Sequence, residues 1–219
     1  MKSQMRFQRN AHVLDANARE IGTLNRVVVD TKTREVTHVV VRKGSLFKKE
    51  NKLVPIGMVA ETVKDQVLLS PDAGDAERLP LFEETQFVSE SRGSEALPVQ
   101  PTIMPGGGAG SVAVVSDPVK PVVTETVQNI PRGTVAMKEG ARVVTAEGQE
   151  VGKVEQVRAG PETDRMTDLL VSSGGMFTRE EALIPADLVK SIDEDEVRLH
   201  VKKASLENAR PLHPSTESE

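Results

Sequence analysis

One segment occurs twice in this chain, and that constrains its fold more than any other feature. His12 to Leu69 can be laid over Arg142 to Leu199 without a gap, at a constant offset of 130. Val13 meets Val143, Gly22 meets Gly152, Thr33 meets Thr163 and Thr37 meets Thr167. Gly44, Phe47, Glu50, Leu53, Pro55 and Val59 fall on Gly174, Phe177, Glu180, Leu183, Pro185 and Val189. Asp65, Val67 and Leu69 then fall on Asp195, Val197 and Leu199. A register this long means two copies of one small domain. Each copy is short enough that its core must be small and its stability modest.

The residues available to fill two such cores favour strands. Trp and Tyr are absent and the only aromatic residues are 5 Phe, so Val, Ile and Leu must do the packing, and β-branched side chains suit a pleated sheet. In the first copy His12–Asp15 reads as a short strand and Ala16–Arg19 as a turn. Ile21–Asp30 is a strand whose apolar residues break strict alternation, which a bulge near Gly22 would reconcile. Thr31–Arg34 is turn material. Glu35–Arg42 is a strand whose Val39-Val40-Val41 centre predicts burial on both faces. Ser45–Asn51 is a polar connection carrying Phe47. Lys52–Val59 is a strand interrupted by Pro55, which places it at an edge or a bend, and a hairpin turns around Lys64-Asp65. The second copy repeats these elements, with Asp193–Glu196 as its closing turn. Short strands with no helical period between them predict an all-β fold, a small closed or nearly closed barrel in each copy. The tails Ala76–Phe87 and Leu206–Pro211 are each expected to cover one barrel end with a turn of helix.

Glu95 to Arg132 is different in composition, with frequent Pro and Gly and little charge, and reads as a flexible linker with room for strand addition to a barrel edge. The organisation expected is a first barrel at 5–90, a linker at 91–134, a second barrel at 135–212 and a disordered tail at 213–219.

The ordered motifs are V-x-D-x-x-x-x-x-I-G-x-L/V-x-x-V at Val13–Val27, T-H-V-V-V-x-x-G-x-x-F at Thr37–Phe47, K-L-V-P at Lys52–Pro55, and a hairpin ending V-x-L at Val67–Leu69. Together they resemble the PRC-barrel domain, a family that includes the cytoplasmic barrel of the photosynthetic reaction-centre H subunit and the C-terminal domain of a ribosome-maturation factor. The resemblance covers both copies and excludes the linker. It implies a β-barrel that serves as an assembly or binding module, with no shared catalytic residues and no cofactor. The membrane helix, tyrosines and tryptophans of the reaction-centre subunit have no counterpart here.

Little in the residues suggests chemistry. Cysteine is absent, which removes disulfides, thiolate metal sites and thiol nucleophiles, and fits a reducing cytoplasm. His12, His38, His200 and His213 show no metal-ligand spacing. Asp193–Glu196 lacks the spaced ligands of a calcium loop. Gly106–Gly110 lacks the Gly-Lys-Ser/Thr ending of a phosphate loop. The expectation is therefore a protein without enzymatic activity, without cofactor or metal, and cytoplasmic: no run approaches a membrane span, and the basic start MKSQMRFQRN has no apolar stretch after it.

Charge supplies the partner signal. Met1 to Ser70 holds 13 Lys and Arg against 7 Asp and Glu, whereas Arg142 to His200 holds 7 against 13. Oppositely charged halves attract, within one chain or between chains. Arg42, Lys43, Lys48, Lys49 and Lys52 gather around Phe47, with Lys32, Arg34, Arg6 and Arg9 as further contributors. This cluster is the candidate partner-binding site. It suits an acidic protein partner, self-association through the oppositely charged barrels, RNA phosphates, or an anionic membrane surface. The alternatives to a protein adaptor are an RNA- or ribosome-associated factor and a peripheral component of a photosynthetic membrane complex. Phe47 and Phe177 are expected to plug their own barrel ends, the alternative being an exposed anchor for a partner.

Overall fold

A computed structural model describes residues 4–45, 48–71, 79–88, 123–174 and 180–207. Strand β1 (Met5–Gln8) precedes the first repeat, which contributes β2 (His12–Leu14), β3 (Glu20–Asp30), β4 (Val36–Ser45), β5 (Lys48–Pro55), β6 (Val59–Val63) and β7 (Gln66–Leu69). β8 (Glu83–Val88) and β9 (Val123–Gln128) follow. β10 (Thr134–Lys138) precedes the second repeat, which supplies β11 (Arg142–Val144), β12 (Glu150–Ala159), β13 (Met166–Ser173), β14 (Glu180–Pro185), β15 (Val189–Ile192), β16 (Glu196–Leu199) and the short helix α1 (Lys203–Glu207). The chain divides into two compact units, one formed by residues up to Glu83 together with those from Gln128 onward, the other by Glu84–Val127.

Within the first unit the repeats build two seven-stranded sheets of the same topology, β5-β4-β3-β2-β7-β6 and β14-β13-β12-β11-β16-β15, each with one further strand on its longest member. Parallel pairing of β2 with β7 and of β11 with β16 brings the ends of each repeat together and curls the sheet into a barrel. The bulge expected near Gly22 is present: the β2–β3 register shifts between Val13 and Leu14. Glycine is needed there because a Cβ would overlap the Arg42 carbonyl oxygen of the neighbouring strand, and at Gly152 the Ser172 carbonyl imposes the same demand. Pro55 ends β5, and a 3-10 turn at Ile56–Met58 leads into β6. The turn after β3 is held by the Asp30 carboxylate, which accepts the Lys32 and Thr33 N–H groups at 2.8 Å.

The seventh strand of each sheet comes from the other half of the chain. β1 lies antiparallel on β12, with Phe7 opposite Val157, and β10 lies antiparallel on β3, with Met137 opposite Val27. Besides β4 and β13, the long strands β3 and β12 thus each pair with two more strands, their own repeat's short strand at one end and the exchanged strand at the other. Met5–Gln8, grouped by sequence with the first barrel, belongs to the sheet of the second, and Thr134, placed in the linker, opens a strand of the first. Neighbours in sequence do not reveal which edge a four-residue strand will join. Met5, Phe7 and Met137 are each 2% exposed, so the exchange is packed as well as hydrogen-bonded.

One apolar cluster runs through both barrels, from Met5, Phe7, Val13 and Val41 to Val143, Leu169, Val197 and Leu199. The turn tips also grip each other: the Val36 N–H donates to the Asp164 carbonyl and the Met166 N–H to the Arg34 carbonyl, each at 2.9 Å. A second, smaller cluster of Val28, Val40, Leu53, Phe82 and Ala136 lies on the outer face of the first sheet. Val39 and Val41 face the main core and Val40 this one, which is the two-sided burial that the Val run predicts.

Several boundaries differ from the sequence reading. The connection expected at Ser45–Asn51 is mostly strand, because β4 and β5 pair up to Ser45 opposite Lys48. Among the described residues the helical cover expected after the second barrel is found as α1, and in the first repeat Leu79–Phe82 is extended and lies along β5. In the other unit, β8 and β9 pair as a two-stranded sheet, so the Val- and Thr-rich end of the expected linker, Val123–Gln128, is a strand. Residues 91–122 of the linker, Phe47, Phe177 and the residues after 207 lie outside the described residues.

Candidate functional site: the basic hairpin of the first barrel

The residues singled out by charge fall on one hairpin. Four successive cross-strand pairs close it: Arg42 opposite Asn51, Lys43 opposite Glu50, Gly44 opposite Lys49 and Ser45 opposite Lys48. Gly44 has φ 116°, a conformation that side chains resist, and this lets the strand bend toward the tip. Arg42, Lys43, Lys48 and Lys49 are thus gathered within these few rungs. The matching hairpin of the second repeat is described only as far as Ser173 opposite Glu180 and carries Ser172, Ser173, Glu180 and Glu181 at the corresponding places. By sequence, Arg42, Lys43, Lys48 and Lys49 of the first copy fall on Ser172, Ser173, Thr178 and Arg179 of the second.

Not every candidate joins this group. The Lys52 Nζ donates to the Leu79 carbonyl at 3.2 Å, and Lys52 bridges to Leu81, so its ammonium is committed to the barrel's own covering segment. Arg34 leaves the hairpin altogether. Its guanidinium donates to the Ala186 carbonyl at 2.7 Å and the Val189 carbonyl at 2.6 Å, and lies 3.9 Å from the Asp187 carboxylate. Arg6 is on β1 in the second sheet. Arg9 lies 3.8 Å from Glu155.

Basic residues of the first half meet acidic residues of the second within this unit. Arg26 Nη1 lies 2.9 Å from Glu194, Arg9 faces Glu155 and Arg34 faces Asp187. Burial would raise Glu194, but the Gln128 amide and the Arg26 guanidinium outweigh it and hold its carboxyl below the usual range. Arg26 also stacks over the Phe82 ring at 5.1 Å. Glu139 is pushed the other way: burial raises it, although the Asn10 N–H donates to it at 2.7 Å and Arg42 and Arg9 oppose the shift. Sequence reasoning missed these contacts. The ion pairs among them join residues more than 100 positions apart, and only the opposite charge of the two halves hints at them.

Among the described residues no group of three or more His, Cys, Asp or Glu side chains could hold a metal ion. His38 sits on β4 with Nδ1 3.1 Å from the Thr37 hydroxyl, and burial lowers its pKa. His12 pairs with Glu20 at 3.0 Å, which raises its pKa. The space between the barrels lined by Phe7, Leu24, Met137 and Val157 is about 10 Å³, no more than one water would fill. No helix among the described residues is long and apolar enough to cross a membrane.

Two barrels of one topology and a shared core define a tandem β-barrel. The profile of the PRC-barrel domain matches residues 9–76 and 139–206. The chain therefore belongs to the PRC-barrel domain family, in two tandem copies. A comparison with curated proteins finds no match.

Proposed function

We propose that this protein is a non-enzymatic adaptor that binds an acidic protein partner through the β4–β5 hairpin of its first barrel. The observation that carries this reading is the hairpin itself. Its register gathers Arg42, Lys43, Lys48 and Lys49 within four rungs, while the duplicate has Ser172, Ser173 and Thr178 at three of those positions and keeps one cation, Arg179. A cationic patch with Phe47 beside it in sequence suits a carboxylate-rich protein face, where charge steers the encounter and an aromatic ring adds buried area. Glu50 opposite Lys43 tempers the charge, which favours a protein over the denser phosphate array of a nucleic acid.

Self-association through oppositely charged barrels has less support, because Glu194, Glu155 and Asp187 already face arginines of their own chain. Family membership agrees with a binding module, and we assign the protein no catalytic step.

The test is affinity capture from native lysate with the full chain and with Lys48→Glu combined with Lys49→Glu, with and without nuclease. The expected result is a protein retained by the unaltered chain in both arms, released by salt and lost on charge reversal. Retention that survives reversal would exclude the hairpin. Retention abolished by nuclease would favour the RNA-associated reading.

A further inference from the structure

β1 and β10 take equivalent places on the two sheets, yet they are not held alike. On the side of β10 that faces away from β3, the Lys138 N–H donates to the Glu194 carbonyl at 2.8 Å and the Lys138 ammonium lies 2.8 Å from Asp195. On the matching side of β1, the Arg6 N–H donates to the Thr62 hydroxyl at 2.7 Å. The ladders differ too. β1 sets Arg6 opposite Arg158 on β12, where β10 sets Ala136 opposite Val28 on β3. Like charges facing each other across a ladder weaken it.

The hinges differ in the same sense. β1 turns into β2 through Arg9, Asn10 and Ala11, and β10 into β11 through Glu139, Gly140 and Ala141. Each turn is closed by a main-chain bond, from Ala11 to Gln8 at 3.1 Å and from Ala141 to Lys138 at 3.2 Å. The middle residue is left-handed in both, with φ 72° at Gly140 and φ 56° at Asn10. Glycine adopts that conformation freely, whereas a side chain makes it costly. The Gly140 N–H is held by the Val154 carbonyl at 3.0 Å, but the Asn10 N–H is held by a side chain, the Glu139 carboxylate, at 2.7 Å.

We propose that β1 swaps between two copies of this chain, Met5–Gln8 of each lying on β12 of the other about a hinge at Asn10. The swap keeps the β1–β12 ladder and the buried seats of Met5 and Phe7, because strand and groove are the same in both forms. What changes is the hinge. Opened out, Asn10 leaves the left-handed region, and the turn bond from Ala11 to Gln8 is given up. A short strained hinge beside an unchanged contact surface is the condition under which swapping comes at low cost. Three hinge residues drawn straight span about 10 Å, so the swapped dimer sets the β12 strands of two copies close together. β10, with glycine at its hinge and Lys138 tied to Glu194 and Asp195, stays in its own chain.

The chain contains no cysteine, so introduced thiols report the swap without background. Arg6→Cys in one chain and Arg158→Cys in another bring their thiols opposite each other only when β1 of the first lies on β12 of the second. Cross-strand partners are about 4.5–5.5 Å apart, within disulfide reach. The two full-length variants, mixed, incubated under reducing conditions and then oxidised, are expected to give a disulfide-linked dimer of one chain of each kind. Its yield should rise with protein concentration. It should also exceed the yield with Lys190→Cys, an exposed position on β15, in place of Arg158→Cys. Adding Asn10→Gly to both chains should lower the yield about two- to fivefold. A yield no greater than that of the Lys190→Cys pairing would overturn the proposal, as would a yield indifferent to Asn10→Gly. One chain carrying both Arg6→Cys and Arg158→Cys should close its own disulfide in dilute solution. Failure to close would contradict the β1–β12 register, and the proposal would fall with it.

Discussion

Arg34 shows at the residue scale how a turn residue becomes a structural tie. It adopts φ 61° at the tip between β3 and β4, and its two charged hydrogen bonds satisfy carbonyls at the 3-10 turn of the other barrel. Arg34→Ala leaves the Ala186 and Val189 carbonyls without those donors, and a loss of about 1–3 kcal/mol is expected, read from the urea midpoint. Asp164 is its counterpart in the second repeat, with φ 51°, and among the described residues its buried Oδ1 finds no hydrogen-bond partner. Asp164→Arg should therefore stabilise the protein by about 1 kcal/mol, by offering donors to the Ile56 and Val59 carbonyls. Glu139 gives a pH dependence. Its folded pKa lies above the unfolded value, so the folded state holds the proton more tightly, and stability falls as pH rises through the window just above the ordinary carboxylate range. Glu139→Gln keeps an oxygen for the Asn10 N–H and removes the charge. The variant should gain on the unaltered chain in melting temperature between about pH 4 and pH 7. A constant difference across that range would show that burial of this carboxyl is not what titrates.

The exchanged strands dominate at the element scale. β1 alternates buried and exposed residues along Met5, Arg6, Phe7 and Gln8, and such alternation is visible in the sequence as a strand signal. Its partner is not. The hydrogen-bonding edge of a short strand is generic, and what selects β12 is the pocket that receives Met5 and Phe7 from the far side of the core. Phe7→Ala should destabilise the protein by about 3–5 kcal/mol, as for a buried aromatic, and the loss should appear first as faster amide exchange in β12 of the second barrel. If β3 and β4 of the first barrel lose protection first, the exchange of strands is not what holds β1. The β4–β5 hairpin teaches a related lesson. Its cations were legible from composition, but a polar run between two strands reads as loop. It became a ladder because paired strands satisfy main-chain groups that a loop would leave to water. Lys52 was grouped with the cluster by sequence proximity, and its position opposite Leu81 removed it.

Scale changes the stability argument for the whole molecule. Two domains of this size, each with a private core, would melt separately. Here one apolar cluster passes through both and each sheet depends on a strand from the other half. Calorimetry should therefore show a single cooperative transition for the two barrels, with calorimetric and van't Hoff enthalpies in agreement. Two resolved transitions would contradict the shared core. The ion pairs between halves contribute less. Arg9 and Asp187 are largely exposed, so raising the salt to about 1 M should shift the midpoint by less than about 1 kcal/mol.

The repeat, the β-rich class, the bulge at Gly22 and the buried Val run of β4 were determined by sequence alone, because alternation, glycine placement and β-branched content act over a few residues and leave a local mark. The tertiary structure alone decided that β1 and β10 change places, that Arg34 inserts into the opposite barrel, that Arg26 meets Phe82 and Glu194, and that the two cores are one. Those choices depend on which apolar face and which unmet hydrogen-bonding edge lie nearest after the chain has turned back on itself, and residues far apart in sequence carry no local signal of that meeting.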